Sequence, residues 1–148
     1  KITMDNVLDQ TCITYPETYA REMSGTDIKN ILEDVCDNLF NVDPYYQQGG
    51  DMVRVGGLDY VCDPKAPMGQ RINEMTLDNG VKVEANKQYK VSGWATVGSQ
   101  SPGPMIWDVV AGYLRDQKVA KVKKLNVPAL KNAKGNPGLE RYNGSVIS

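Results

Sequence analysis

Apolar residues recur at helical spacing most clearly in one segment of this chain. Seven of them form an unbroken stripe: Ile28, Ile31, Leu32, Val35, Cys36, Leu39 and Phe40. Ser24-Gly25 before the stripe is typical of a turn, and Thr26 is a suitable N-cap. The pattern therefore predicts a helix that begins at Thr26, ends near Phe40 and places its whole apolar stripe in the core.

Alternation of apolar and polar residues, together with turn residues, predicts the strands. They cover residues 18–23, 52–61, 71–77, 81–84 and 89–97. Asp78-Asn79-Gly80 predicts a hairpin turn between two of them, and Gly56-Gly57 allows a bulge or a close backbone approach. We expect the strand over residues 89–97 to be buried.

Two further helices are expected, one at the start of the chain and one that begins at residue 104. Thr3 is a suitable cap for a short helix through about Gln10, and Pro104 suits the first position of the other. The apolar face of this second helix comprises Ile106, Trp107, Val109, Val110, Tyr113 and Leu114. Residues 119–130 begin as an edge-strand pattern that Pro128 breaks. Helices alternating with several strands predict a mixed α/β or α+β domain over residues 1–130, followed by a disordered tail over 131–148.

Charge and length indicate one soluble globular domain of 148 residues with a net charge of −1. Residues 1–43 carry a net charge of −6 and residues 118–148 carry +6. The basic segment is either a docking strip for a partner or a solvated edge. The near-neutral overall charge does not favour binding to nucleic acid. The lack of a long apolar run does not favour insertion into a membrane.

The absence of histidine narrows the chemistry most, because zinc sites, dinuclear hydrolytic sites and Ser/Cys–His pairs depend on imidazole. We therefore expect no metal ligand and no catalytic residue in this chain. Of the three cysteines, Cys36 belongs to the apolar stripe and is expected in the core, while Cys12 and Cys62 would be able to pair in an oxidising compartment.

Candidate binding residues surround a polar, glycine-rich run from Asp43 to Gly57. Two glycine pairs allow a ligand to approach the backbone, and Arg54 between them offers a planar fork of donors for sulfate, phosphate or carboxylate. Arg54 could equally be a surface residue paired with Asp51 or Asp59. Tyr15 suits a groove or the core about equally, whereas Trp94 is favoured as a core residue. No phosphate-binding glycine motif is present.

Several segments resemble the 5′-nucleotidase C-terminal domain family. The resemblance begins with Leu8-Asp9-Gln10-Thr11, Ile13-Thr14-Tyr15-Pro16-Glu17-Thr18-Tyr19 and Glu22-Met23-Ser24-Gly25. The segments that resemble its sulfur-oxidation thiosulfohydrolase (SoxB) branch are Ile31 to Phe40, Asp43-Pro44-Tyr45-Tyr46-Gln47-Gln48-Gly49-Gly50-Asp51-Met52-Val53-Arg54-Val55-Gly56-Gly57, Met68 to Ile72 and Tyr89 to Ala95. The resemblance covers residues 3 to 130 and implies a mixed sheet with a few packed helices.

The resemblance implies a role in a periplasmic two-domain hydrolase of thiosulfate oxidation, which releases sulfate from a cysteine S-thiosulfonate on a sulfur-carrier protein. Two manganese ions are expected in an N-terminal metallophosphatase-like domain that this chain, taken as a fragment, does not contain. This chain would then line the substrate channel and be inactive alone. The channel residues that the resemblance suggests are Thr14, Tyr15, Arg54, Trp94 and Thr96.

Two other functions remain open. Nucleotide-cleaving relatives hold a base between two aromatic rings, and Tyr15 corresponds approximately to the first of these. The second position falls near Thr96, which is not aromatic, although Trp94 is close by. The alternatives are thus a nucleotide-binding domain of a 5′-nucleotidase-type phosphohydrolase and a non-catalytic docking module for a carrier protein.

Overall fold

The fold is α+β, as the sequence predicts, and a computed structural model describes residues 1–11, 14–94, 103–121 and 124–134. The helices are α1 (Met4–Asp9), α2 (Gly25–Phe40) and α3 (Ile106–Gln117), and a short 3₁₀ helix covers Pro44–Tyr46. The strands are β1 (Thr18–Ser24), β2 (Leu58–Cys62), β3 (Ile72–Leu77), β4 (Gln88–Trp94) and β5 (Ala129–Leu130). These elements divide between two compact units.

The first unit comprises residues 1–24 and 87–124. Its sheet is the antiparallel pair β1–β4, in which the ring of Tyr19 lies against its register partner Gly93, leaving no room there for a Cβ atom. The Arg21 guanidinium lies 5.1 Å from the centre of the same ring. Helix α1 packs against α3, and Thr3 closes a capping box with Asn6, which confirms the predicted N-cap.

The second unit comprises residues 25–86 and 125–148. Its sheet has the order β3-β2-β5, with β3 antiparallel and β5 parallel to β2. The core is formed by Leu32, Cys36, Leu58, Tyr60, Cys62 and Ile72. Burial raises the pKa of Tyr60 to about 12, because its phenolate would lose hydration there. The inward residues of β2 and the apolar stripe of α2 thus meet in one core.

Helix α2 confirms the strongest periodic signal, with two differences. It begins at Gly25, and the Thr26 hydroxyl donates to the Ala85 carbonyl at 3.1 Å instead of capping the helix. Ile31 and Phe40, at the edges of the predicted stripe, are about 40% exposed. The stripe is therefore wider than the surface that covers it.

Helix α3 begins later than predicted, because the segment before it is held by β1. Thr18 donates its amide to the Pro104 carbonyl at 3.1 Å, and Ile106 donates to the Pro16 carbonyl at 2.8 Å. Pro104 is therefore outside the helix. Val109 and Tyr113, predicted on its apolar face, are exposed.

Three predicted strands differ from those observed. The strand expected over residues 52–61 begins only at Leu58, because Gly57 has a φ of +81° and interrupts extended backbone. The hairpin turn is present, but residues 81–84 contribute only a bridge from Lys82 to Thr76. Strand β4 is half-exposed rather than buried: its side chains alternate between exposed and partly buried, and β1 is its one partner strand among the described residues. Residues 95–97 of that prediction lie outside the described part of the chain.

The C-terminal segment is ordered beyond residue 130 as far as the structure describes it. The Lys131 amide donates to the Cys62 carbonyl at 2.9 Å, and the Asn132 side chain donates to Asp63 at 2.6 Å. The boundary predicted at residue 130 stays a prediction, and residues 135–148 lie outside the described range. No helix among the described residues is both long and apolar enough to cross a membrane.

Candidate functional site

Arg54 lies in a glycine-bounded loop of the second unit, not in the strand predicted for it. Met52 and Val55 pack against the core, while Val53 and Arg54 face outward. The two outward residues thus lie between two that pack against the core, and the Arg54 guanidinium faces solvent. Within the described residues Arg54 has no hydrogen-bond or ion-pair partner, so the alternative of a pairing with Asp51 or Asp59 is not realised.

Glycine is required at both ends of this loop. Gly49 and Gly50 have φ values of +79° and +96°, and Gly57 has +81°. These backbone conformations are costly for residues with a Cβ atom. No described atom would lie within 4 Å of a Cβ at any of the three positions. The backbone conformation, and not crowding, therefore explains why glycine occupies them.

The segment before the Arg54 loop is fastened to the C-terminal end of α2. Asn41 caps the connection: its side chain donates to Asp37 at 2.7 Å and accepts from the Asp43 amide at 2.9 Å. The Gly49 amide donates to the Asn38 carbonyl at 3.2 Å. The polar residues that read as an irregular loop in sequence are therefore held by specific hydrogen bonds.

Two neighbouring tyrosines on this segment are functional candidates that sequence reasoning did not select. The Tyr45 and Tyr46 rings meet edge to face, with centres 5.8 Å apart, and Tyr45 is 89% exposed. Exposed aromatic pairs favour contact with a ligand or another protein surface, because they bury much area at little entropic cost. The signal available in sequence was two adjacent tyrosines in a loop without apolar periodicity.

In the first unit, the structure brings the aromatic candidates to one end of the β1–β4 sheet. Trp94 pairs with Thr18 at the end of the ladder, and Tyr15 and Thr14 lie three and four residues before Thr18 in the chain. Trp94 is 50% exposed and Tyr15 is 45% exposed, so the expectation of a core position for Trp94 is wrong. Thr96 lies outside the described residues. Arg54 belongs to the second unit.

A buried polar network, also missed in sequence, supports the second unit. Glu33 of α2 is 2% exposed and accepts the amides of Gly69 and Ile72, each at 2.8 Å, as well as the Arg71 amide at 3.3 Å. Its carboxylate also pairs with Lys29 at 2.9 Å. One carboxylate thus holds the chain just before β3 against α2.

Arg71 extends this network toward the end of α2. Its guanidinium pairs with Asp37 and donates to the Phe40 carbonyl at 3.1 Å, while its Nε has no partner among the described residues. Burial of Glu33 opposes its ionisation, but hydrogen bonds from Ile72, Lys29 and Gly69 outweigh that effect and lower its pKa. The hydrogen bond from Arg71 likewise lowers the pKa of Asp37. Both carboxylates are therefore held as anions in a structural role.

The described residues supply binding groups and no metal cage. No three side chains of the His, Cys, Asp or Glu type meet among them in a way that would hold a metal ion. An open pocket of about 790 Å³ lies against β2 and β3, with Lys29, Tyr60 and Glu74 among its lining residues, but it includes none of the sequence-predicted site residues. An exposed guanidinium and half-exposed aromatic rings suit recognition of an anionic ligand rather than nucleophilic chemistry.

The model of the family "5′-nucleotidase, C-terminal domain" matches residues 1–107, and the chain belongs to this family. No curated protein matches the chain.

The solved structures that are similar to the chain include the following two. The sulfate thiohydrolase SoxB of Thermus thermophilus, in complex with glycerol, is 36% identical with a TM-score of 0.75, over 88% of this chain and 25% of that chain. A 5′-nucleotidase precursor, also from Thermus thermophilus, is 17% identical with a TM-score of 0.59, over 88% of this chain and 28% of that chain. Both relatives are hydrolases, and this chain spans little more than a quarter of their length.

Proposed function

We propose that this chain is the C-terminal domain of a thiosulfohydrolase, which releases sulfate from a cysteine S-thiosulfonate on a sulfur-carrier protein in the periplasm. The observation that carries the proposal is the 36% identity to SoxB over 88% of the chain, against 17% to the 5′-nucleotidase precursor over the same share. The fold is common to both, so the higher identity favours the sulfur substrate.

The contribution of this domain is to line the channel that receives the carrier's modified cysteine. Arg54 is exposed and without a partner among the described residues, so it can meet a sulfonate oxygen without first breaking an ion pair. Thr14, Tyr15 and Trp94 provide polar and aromatic surface at one end of the other unit's sheet. Thr96 remains a candidate on sequence alone.

The two manganese ions of this proposal do not fit the present chain. Its sequence contains no histidine, and its described residues form no three-ligand group. We therefore assign the metals to an N-terminal metallophosphatase-like domain, which would be the principal partner of this one, and derive no step of the reaction through them.

Replacing Arg54 by alanine in the enzyme that contains this domain should lower the rate of sulfate release from the modified carrier roughly 10- to 100-fold, the effect of losing one charged hydrogen bond. The temperature of unfolding should stay the same, because an exposed and unpartnered side chain contributes little to stability. Sulfate release and thermal unfolding measured on the same preparations test both parts.

Arg115→Ala is the matched control, since Arg115 is an exposed arginine of α3 outside the candidate residues. It should leave sulfate release unchanged. Full activity of the Arg54→Ala enzyme would remove Arg54 from the channel.

A nucleotide-binding role is the second candidate, favoured by the two half-exposed aromatic side chains at one end of the β1–β4 sheet. Amide NMR titrations of the chain with AMP, and separately with a glycine-rich peptide bearing a cysteine S-thiosulfonate, distinguish the two. Shifts near Tyr15, Arg54 and Trp94 with the peptide alone support the sulfur substrate. Shifts near Tyr15 and Trp94 with AMP alone support nucleotide binding.

A further inference from the structure

Two cysteines distant in sequence meet inside the core of the second unit. Cys36 lies on α2 and Cys62 ends β2, and their Sγ atoms are 3.5 Å apart. Their exposed fractions are 0% and 4%. The sequence left a pairing of Cys12 with Cys62 open. The structure places Cys36 beside Cys62, and Cys12 lies outside the described residues.

The surroundings of the pair make its two sulfurs unequal. The hydrogen bond between the two thiols, together with burial, raises the pKa of Cys36 well above its ordinary value, and the same hydrogen bond lowers the pKa of Cys62. The Arg71 guanidinium favours a thiolate at both positions. Cys62, which is 4% exposed, is the more accessible of the two sulfurs and is therefore assigned as the attacking thiolate.

We propose that Cys36 and Cys62 form a disulfide by exchange with a small-molecule or protein disulfide. The Cys62 thiolate attacks one sulfur of the oxidant, forming a mixed disulfide and releasing one thiolate of the oxidant. Cys36 then loses its proton to that thiolate and attacks the Cys62 sulfur, which expels the second thiolate. The protein loses two electrons and two protons, and the oxidant is reduced to two thiols.

The geometry requires a small adjustment for this bond. The two sulfurs must approach from 3.5 Å to about 2.05 Å, and they belong to adjoining surfaces that the core already holds together. Because both thiols are buried, exchange takes place during folding or through local opening of α2 from the sheet. Oxidation of the folded chain should therefore be slow and should accelerate in mild denaturant.

The bond would tie α2 to β2 at the point where the buried polar network lies. Glu33 and Asp37, on either side of Cys36, hold Arg71, and the Asp63 amide next to Cys62 donates to the Arg71 carbonyl at 2.8 Å. The segment enclosed between the two cysteines carries the Arg54 loop. A disulfide would therefore restrict the unfolded chain over the segment that presents the candidate binding residue.

The test uses Cys12→Ala, which leaves only the two cysteines of interest. The chain is unfolded, refolded in a mixture of oxidised and reduced glutathione, alkylated in guanidinium and weighed by mass spectrometry. We expect no alkylated thiol before reduction and two afterwards. The melting temperature should rise by roughly 5–10 °C on oxidation and return with reductant, because the bond closes a loop of intermediate length.

Two controls make the result decisive. Cys12→Ala combined with Cys36→Ala should show one glutathione adduct or one free thiol and no rise in melting temperature. In the unmodified chain, peptide mapping should find the 36–62 bond, with Cys12 alone alkylated. Two alkylated thiols after oxidative refolding of the Cys12→Ala chain, or mapping of Cys12 to either other cysteine, would overturn the proposal.

Discussion

Replacing Glu33 by glutamine is expected to lower the free energy of unfolding by about 3 kcal/mol. The two carboxylate oxygens of Glu33 accept three backbone amides and the Lys29 ammonium in a position only 2% exposed. Glutamine keeps one of these acceptors and turns an NH2 group toward the remaining donors. Urea denaturation followed by circular dichroism at neutral pH measures the loss.

Asp34→Asn is the matched control, since Asp34 is the next residue of the same helix and is exposed. We expect it to change the free energy of unfolding by less than about 0.5 kcal/mol. Equal effects of the two substitutions would show that the loss arises from α2 as a whole and not from the buried acceptor.

The same carboxylate predicts how stability depends on pH. The pKa of Glu33 is lowered in the folded chain, so its contribution is fully present above the unfolded pKa of about 4.3 and is lost as the pH falls through the folded value. Asp37 acts in the same direction. The unfolding free energy should therefore fall below about pH 4.3, and it should fall less steeply in Glu33→Gln. Identical slopes would contradict this assignment.

Replacing Gly25 by alanine is expected to lower the free energy of unfolding by about 2–3 kcal/mol, which is the cost of overpacking. A Cβ atom there would collide with the Glu84 carbonyl oxygen and would lie 2.9 Å from the Val83 Cγ1 atom. The colliding atom is backbone, and the adjacent Ala85 carbonyl accepts the Thr26 amide at 2.9 Å, so the segment cannot move away easily. Thermal and urea denaturation measure the effect.

Gly112→Ala supplies a control with the opposite sign. Gly112 is inside α3, and no described atom would lie within 4 Å of its Cβ. Alanine is there expected to raise the free energy of unfolding by about 0.5–1 kcal/mol, because it restricts the unfolded chain and suits a helix. A stabilising Gly25→Ala would mean that the contact with residues 83 and 84 is absent.

Elements with a strong local signal were predictable from this sequence. The stripe on α2 and the Thr3 cap depend on residues within one or two helical turns, and both are present. The family was also recognisable, because the runs that carry it, such as Asp43 to Asp51, are continuous in sequence. The glycine pairs that bound the segment around Arg54 were noted from the same local information, although the segment between them was predicted as a strand and is a loop.

Features that depend on partners distant in sequence were mispredicted or missed. Strand β2 is shorter than its alternation suggests because Gly57 interrupts extended backbone, and β4 is half-exposed although its sequence predicts a buried strand. Trp94 was favoured for the core because it is an apolar residue of a predicted strand. Such a residue is buried only where another layer covers it, and Trp94 is 50% exposed.

The sequence by itself determined the main helix, the absence of an imidazole-dependent site and the family to which the chain belongs. Only the tertiary structure decided that Glu33, which lies among the apolar residues of α2 in the sequence, would be stabilised by backbone amides 36 to 39 residues away. It also decided that Cys36 would face Cys62. Helical periodicity reports which face is buried, but the groups that meet a buried charge or thiol are set by how helix and sheet pack together.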